Sequence, residues 1–340
     1  MLNFQGAGAT RATGGSCYNR AVKTRPPSLE AQAWAHFELA SRRYESRGGI
    51  ERATIEPGAV CNLRCPFCPT GNGELKLSRG LLTAKRFRRV LNKLGPDLKI
   101  LTLFNWGESL LNPEFCGMVG EASARGIETV LHSNLSLPGF DAANARSLVE
   151  AGLTRLVVSC DGASQGTYER YRVGGSFEKV ISNIKLVQAA KKELALERPA
   201  ISWKFLVHKG NRHEIAAARN RARRLGIPVE FGRLIVPRAH AKDWEAPPEA
   251  RPSAGAAPVP DLCLQTWSQP TIHSDGTVLP CCVVNDPEYS LGNIFDEPFE
   301  RIWNKPLVVA MRDYLKDGRR TDRKLPCYGC FHNPHRAVAG

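Results

Sequence analysis

The chain has 340 residues, 42% of them hydrophobic, with eleven cysteines and a formal net charge of +14, a size that suits one large α/β domain plus a smaller one. No apolar run approaches the roughly 18 residues of a membrane span, and the N-terminus lacks the apolar stretch of a secretory signal, so a cytoplasmic protein with no membrane partner is expected. In a reducing compartment eleven cysteines point to metal ligation and argue against a disulfide framework.

Residues 1–49 form an N-terminal extension. A helix is expected after Pro26, Pro27 and Ser28, with Ala33, Phe37 and Ala40 on one face. From residue 50 short apolar runs alternate with longer amphipathic segments, the pattern of repeated β–α units around a parallel sheet. Strands are expected near 51–56, 98–104, 127–133, 154–160, 200–207 and 227–234. Helices are expected near 83–94, 112–125, 141–152, 176–194 and 211–225, with Gly95, Gly126, Gly152 and Gly226 at their C-terminal caps. Six units are too few for a closed eight-fold barrel, so residues 50–235 are read as an open, partial (β/α)6 barrel of the TIM type. The positive excess falls largely on outer helix faces (Lys85, Arg86, Arg88 and Arg89, then Arg219, Arg221, Arg223 and Arg224) and reads as solvated surface. No stacking motif accompanies it, and nucleic acid is not the expected partner.

Residues 236–262 are rich in Pro, Ala and Arg and read as a linker. A small cysteine-bearing domain follows over 263–333, with 334–340 as a tail. Within it, Asp275-Gly276 between Thr271-Ile272-His273 and Thr277-Val278-Leu279 reads as a two-residue hairpin turn. A helix is expected near 297–316.

The segment Cys61-Asn-Leu-Arg-Cys65-Pro-Phe-Cys68 directly follows the first strand. Three thiolates on one loop suit a soft metal site. Most 4Fe–4S clusters take four cysteines, so three leave one iron open. The CxxxCxxC spacing, with Phe67 before the last cysteine, resembles the signature of the radical S-adenosylmethionine (SAM) superfamily. That resemblance implies a 4Fe–4S cluster on Cys61, Cys65 and Cys68. In that family the open iron chelates the amino and carboxylate groups of SAM, and one-electron reduction releases a 5′-deoxyadenosyl radical. Zinc is the alternative for such thiols, though it prefers four ligands in paired CxxC form.

Downstream segments extend the resemblance in order. Asn105-Trp106-Gly107-Glu108 is similar to the family's Gly-Gly-Glu segment, which implies that Gly107 and Glu108 hold the methionyl ammonium. Trp106 stands where the family has glycine, and Ser109 where proline is common. Asn134 resembles the family's ribose contact. Ser159 and Arg172 resemble residues that meet the ribose or the methionyl carboxylate, and Asp161 is a candidate for the lumen. Asn134 and Asp161 also suit helix caps, and Arg172 a surface ion pair.

Cys263, Cys281, Cys282, Cys327 and Cys330 resemble the SPASM or twitch extension that binds auxiliary clusters. A complete SPASM domain has seven ligand cysteines, and none follows Cys330 here. A single auxiliary 4Fe–4S cluster on Cys263, Cys281, Cys327 and Cys330 fits the count, with zinc as the alternative. Spacing does not separate Cys281 from Cys282. The spare thiol, taken as Cys282, becomes a candidate hydrogen donor. Cys160 and Cys116 are expected to pack as small hydrophobes, and Cys17 is spare.

The expected activity is hydrogen-atom abstraction from a small polar, sugar- or nucleoside-like substrate, which the basic balance would suit if acidic. Dehydrogenation, epimerisation or decarboxylation would follow, with an electron donor such as flavodoxin or ferredoxin. One alternative is modification of a ribosomally made peptide, against which the first fifty residues look too short for a leader-binding domain. The other is a non-catalytic iron–sulfur or zinc protein that binds nucleic acid.

Overall fold

The structure, a computed structural model, describes residues 49–246, 263 and 265–330. The helix expected after Ser28, Cys17 and residues 247–262 of the expected linker lie outside the described residues.

Six strands run parallel in chain order: Arg52–Ile55 (β1), Ile100–Thr102 (β2), Glu128–Ser133 (β3), Arg155–Ser159 (β4), Ala200–Val207 (β5) and Val229–Arg233 (β6). Between them lie helices Ala84–Leu94 (α1), Phe115–Ala124 (α2), Ala142–Glu150 (α3), Gln165–Tyr171 (α4), Phe177–Glu193 (α5) and Ile215–Leu225 (α6). Each strand and helix anticipated from the pattern is present in this region. The helix ends explain why. The Thr83 side chain accepts from Arg86 N–H, Asp141 and Asn144 form a reciprocal capping box, and the four anticipated cap glycines all have positive φ. Helix α4 escaped the pattern because its seven residues bury little besides Tyr168 and Tyr171.

Strand alternation divides the sheet into two faces. On the outer face Ile55, Leu101, Leu103, Leu131, Leu156, Val158, Trp203 and Phe205 pack under the helices in one continuous core. On the inner face Ile100, Val130 and Val157 form a small apolar plug. Cys160 is in the outer core, fully buried, and Cys116 packs against it, as small hydrophobes do.

The sheet is not closed into a barrel. At β1 it continues into the C-terminal region, where Thr271–Ile272 (β7) pairs parallel with β1, followed by antiparallel Thr277–Leu279 (β8) and Gly292–Asn293 (β9). The order is β6-β5-β4-β3-β2-β1-β7-β8-β9. Two local expectations need correction. Thr271 pairs with Leu279 and Ile272 with Val278, which places His273 opposite Thr277 and leaves a three-residue loop, Ser274-Asp275-Gly276. Gly276 takes φ +96°, and Asp275 Oδ1 accepts the Thr277 N–H at 2.8 Å, which closes the longer loop. The single helix expected over 297–316 is instead a turn, Phe299–Ile302, and a separate helix, Pro306–Asp317. Proline disfavours helical geometry in the residue before it, so Lys305 is extended and the second helix starts afresh. Among the described residues no helix is long and apolar enough to cross a membrane.

Candidate functional site

The cysteine loop leaves β1 at its C-terminal end, the end of a β/α sheet where strand-to-helix loops gather. Cys65 is buried, while Cys61 and Cys68 are half-buried. Hydrogen-bond donors face the sulfurs. Leu63 N–H lies 3.4 Å from Cys61 Sγ, Asn134 Nδ2 3.9 Å from the same atom, and Arg172 Nη1 3.9 Å from Cys65 Sγ. Burial, with Glu108 nearby, pushes the Cys61 thiol up to about 12, and burial raises Cys65 against the pull of Arg172. Such thiols are neutral at pH 7 without metal, so ligation must displace their protons. N–H donors and a guanidinium aimed at two of the three sulfurs, Cys61 and Cys65, fit metal-bound thiolates, which carry negative charge.

Arg172 is set from behind. Its Nε donates to Asp161 Oδ2 at 2.6 Å, and the other Asp161 oxygen accepts the Leu206 N–H at 2.6 Å. Burial works against the Arg172 charge, but Asp161 and Cys65 beside it keep the guanidinium held well above its ordinary pKa. Asp161, expected as a candidate for the lumen, is fully buried with both carboxylate oxygens taken up by Arg172 and Leu206. The Asp161–Arg172 pair is buried, not the surface ion pair that was the alternative for Arg172.

The segment after β2 fits closely against the loop. Glu108 N–H donates to Val60 O at 2.8 Å, and Cys68 Sγ donates to Trp106 O at 3.7 Å. A Cβ on Gly107 would stand 1.8 Å from the Gly58 carbonyl oxygen, so only glycine permits this approach. Glu108 is buried and accepts from Ser133 Oγ (2.9 Å), Asn134 N–H (2.7 Å) and Leu110 N–H (3.3 Å). Burial raises its pKa while those three donors oppose the rise. A carboxylate so placed gains from a cationic partner. Asn134 also reaches Asn62 Oδ1 at 3.1 Å, which ties the end of β3 to the cysteine loop.

Phe67 sits in an aromatic group that sequence reasoning missed. Its ring centroid lies 5.2 Å from Trp244, 5.4 Å from His240 and 6.1 Å from Tyr171, while His208 is 5.2 Å from Trp244. Trp244 ends the short helix Ala241–Trp244 (α7) within the expected linker. Ser159 ends β4 on the inner face, in register with Lys204. Thus Cys61, Cys65, Cys68, Phe67, Gly107, Glu108, Asn134, Asp161 and Arg172 form one contiguous group, with Ser159 on the adjoining wall.

A second group forms in the C-terminal region. Cys263, Cys281, Cys327 and Cys330 line a cavity of about 240 Å³ together with Gln265, Asp286 and Met311. Burial and the neighbouring Cys263 and Cys330 raise the Cys327 thiol. The cavity separates the adjacent cysteines: Cys281 is on its wall, whereas Cys282 is buried away from it. With the Asn105 amide turned to satisfy both neighbours, its nitrogen donates to Cys282 O at 3.0 Å and its oxygen accepts from Trp106 Nε1 at 3.2 Å. Four cysteines around one cavity fit a four-thiolate cluster in composition and count. No three His, Cys, Asp or Glu side chains among the described residues close on a single-ion position.

Sequence reasoning also missed the buried pair Glu56 and His273, whose oxygen and nitrogen lie 2.7 Å apart. They are 217 residues apart and meet only because β7 pairs with β1.

Comparison with known proteins gives two domain matches. The radical SAM superfamily model matches residues 55–196, and the iron–sulfur cluster-binding domain SPASM matches 263–331. An AdoMet-dependent heme synthase from Methanosarcina barkeri is 26% identical over 53% of this chain and 49% of its own length. A GTP 3′,8-cyclase from Peptoclostridium acidaminophilum is 33% identical over 38% of this chain and 40% of its own. The chain therefore spans about half or less of the length of these curated relatives. Streptococcus suis SuiB bound to S-adenosylmethionine superposes over 84% of this chain and 72% of its own with TM-score 0.64 and 15% identity. The anSMEcpe structure with bound AdoMet superposes over 75% and 81% with TM-score 0.56 and 16% identity. At such identities the structural likeness establishes the fold. Residues 55–196 therefore form a radical SAM domain, which implies a 4Fe–4S cluster and S-adenosylmethionine, and residues 263–331 form a C-terminal SPASM domain, which implies auxiliary iron–sulfur binding.

Proposed function

We propose that the chain abstracts a hydrogen atom from a small, polar, anionic substrate held in the barrel lumen. The observation that carries this is the chemistry of the lumen wall. Beyond the apolar plug, the inner face carries Thr54, Thr102, His132, Ser159, Lys204 and Glu230. His132 stacks on Phe104 with ring centroids 3.9 Å apart. Burial first, then the cations Lys204 and Arg172, push its pKa well below the usual value, so it stays neutral and uncharged. Lys204 stands in register with Glu230 and Arg172 is tied to Asp161, so the wall offers charged and hydrogen-bonding groups of both signs, and Lys204 is the group on it that would meet a carboxylate or phosphate. The names of the curated relatives, a heme synthase and a GTP cyclase, likewise denote small-molecule chemistry.

When bound, SAM and its cluster supply a 5′-deoxyadenosyl radical on one-electron reduction, and an auxiliary cluster supplies a one-electron acceptor. The protein's residues hold and orient. Cys61, Cys65 and Cys68 ligate three irons. Glu108 and the Gly107 backbone receive the methionyl ammonium. Arg172, Asn134 and Ser159 address its carboxylate and the ribose, and Phe67 flanks the site. Cys263, Cys281, Cys327 and Cys330 hold the auxiliary cluster. A flavodoxin- or ferredoxin-type protein delivers the electron. Cys282, not on the auxiliary cavity, is the candidate hydrogen donor if the outcome is epimerisation, whereas dehydrogenation or decarboxylation leaves it unused.

The test is anaerobic incubation with deuterated sugar acids, sugar phosphates and nucleotides, reading deuterium in 5′-deoxyadenosine by mass spectrometry. Transfer from one anionic small molecule is expected, with Lys204→Met raising its KM about tenfold through loss of a charged contact. Transfer from a peptide alone would overturn the proposal.

A further inference from the structure

Glu56 and His273 are both fully buried. Glu56 directly follows β1, and His273 directly follows β7, the first strand of the C-terminal hairpin. Glu56 N–H donates to Ile272 O at 2.9 Å, so the two side chains are brought together by the pairing of β1 with β7. Glu56 Oε1 accepts two backbone donors, Trp106 N–H at 2.6 Å and Gly107 N–H at 2.7 Å. Glu56 Oε2 lies 2.7 Å from His273 Nδ1, and His273 Nε2 lies 2.7 Å from the carbonyl oxygen of Ser78.

The protonation state follows from the partners. A carbonyl oxygen can only accept, so Nε2 carries a proton. A carboxylate facing the ring favours its charged form, so the proton between Oε2 and Nδ1 belongs to nitrogen. The ring is an imidazolium, buried against a carboxylate. Asp275, held by Ser78 Oγ at 2.6 Å, adds a second negative charge nearby. Although burial opposes the charge, Glu56 raises the His273 pKa above its ordinary value.

The geometry points to a role for this pair beyond joining two parts of the sheet. We propose that His273 is a positioning residue: it fixes the Glu56 carboxylate, which holds the Trp106 and Gly107 amides and so sets where Glu108 stands. This rests on the reading that Glu108 receives the SAM ammonium. The amides held by Glu56 belong to the two residues immediately before Glu108, and Gly107 already lies against Gly58 with no room for a Cβ. A shift of this peptide therefore moves Glu108 directly. Cys281 lies two residues beyond β8 of the same hairpin, so the region that carries the auxiliary cysteines also shapes the SAM pocket.

The test measures SAM affinity by anaerobic equilibrium dialysis on reconstituted protein matched for iron content, comparing His273→Leu, His273→Leu with Glu56→Gln, and Glu108→Gln. His273→Leu leaves a buried carboxylate without its cation and should weaken SAM binding about tenfold or more. Adding Glu56→Gln removes that charge while keeping an oxygen for the two amides, and should restore affinity to within about threefold. A space-filling role for His273 predicts no such rescue. Unchanged binding by His273→Leu, or a double variant as weak as the single one, would overturn the proposal while a weakened Glu108→Gln leaves the Glu108 reading standing. Normal binding by Glu108→Gln would sink both. If His273→Leu does not assemble, ¹⁵N-histidine spectra of the oxidised wild-type protein at pH 7.5 decide. Two protonated ring nitrogens on the signal lost in His273→Asn are expected, and a neutral tautomer contradicts the proposal.

Discussion

Asp161 and Arg172 illustrate how the site is made residue by residue. One carboxylate ties a guanidinium at the end of α4 to β5, and the guanidinium then faces Cys65. Asp161→Asn should leave the buried Arg172 charge uncompensated and lower folding stability by about 3 kcal/mol, measured by urea unfolding of the holoprotein. His208 makes a second residue-scale prediction. Its Nδ1 accepts the Gly210 N–H at 3.1 Å, and burial lowers its pKa from 6.5 to about 4. The unfolded chain therefore binds this proton first. The His208 contribution is fully present above pH 6.5 and is lost as pH falls toward 4. Urea midpoints should decline across that window, and His208→Phe should flatten the slope. At this scale the ligand cysteines were legible because their spacing is local. The partners of Asp161 were not legible, because Arg172 and Leu206 come from different elements. Glu56 and His273 gave no sequence signal, since nothing in either neighbourhood marks a partner 217 residues away.

At the scale of elements, periodicity and caps found every strand of the repeating region and every helix but the two shortest, α4 and the single turn Pro69–Asn72, because each signal there is contained within about a dozen residues. Near Asp275 the pattern failed by one residue. An Asp-Gly pair fits both a two-residue turn and a three-residue loop, and the difference lies in cross-strand register, which a single strand does not encode. The segment Asn105–Glu108 is the element on which the site depends most. Gly107→Ala would force a Cβ against the Gly58 carbonyl, a contact with no flexible side chain to give way. SAM binding should fall at least tenfold, on the scale of about 1.4 kcal/mol per decade, while the auxiliary cavity, built from other elements, keeps its iron. Equilibrium dialysis with iron analysis reads both quantities. Retention of full affinity would show that the segment is not part of the pocket.

For the molecule as a whole, the partial barrel was legible but its continuation was not. The C-terminal region reads as a separate small domain in sequence, yet its hairpin extends the barrel's sheet beyond β1. Parallel pairing between strands more than two hundred residues apart leaves no local trace, so only the assembled sheet reveals it. That continuity places two cysteine groups on one framework, one at the end of β1 and one around the cavity beyond β8. The central claim is that the first group holds an iron cluster able to cleave SAM. The most direct measurement is 5′-deoxyadenosine released from SAM by anaerobically reconstituted protein with dithionite, compared with a variant in which Cys61, Cys65 and Cys68 are all alanine. Wild-type protein carrying about eight irons should release it, and the variant, left with about four, should release none; equal release by both, or none from the fully loaded wild type, would contradict the account.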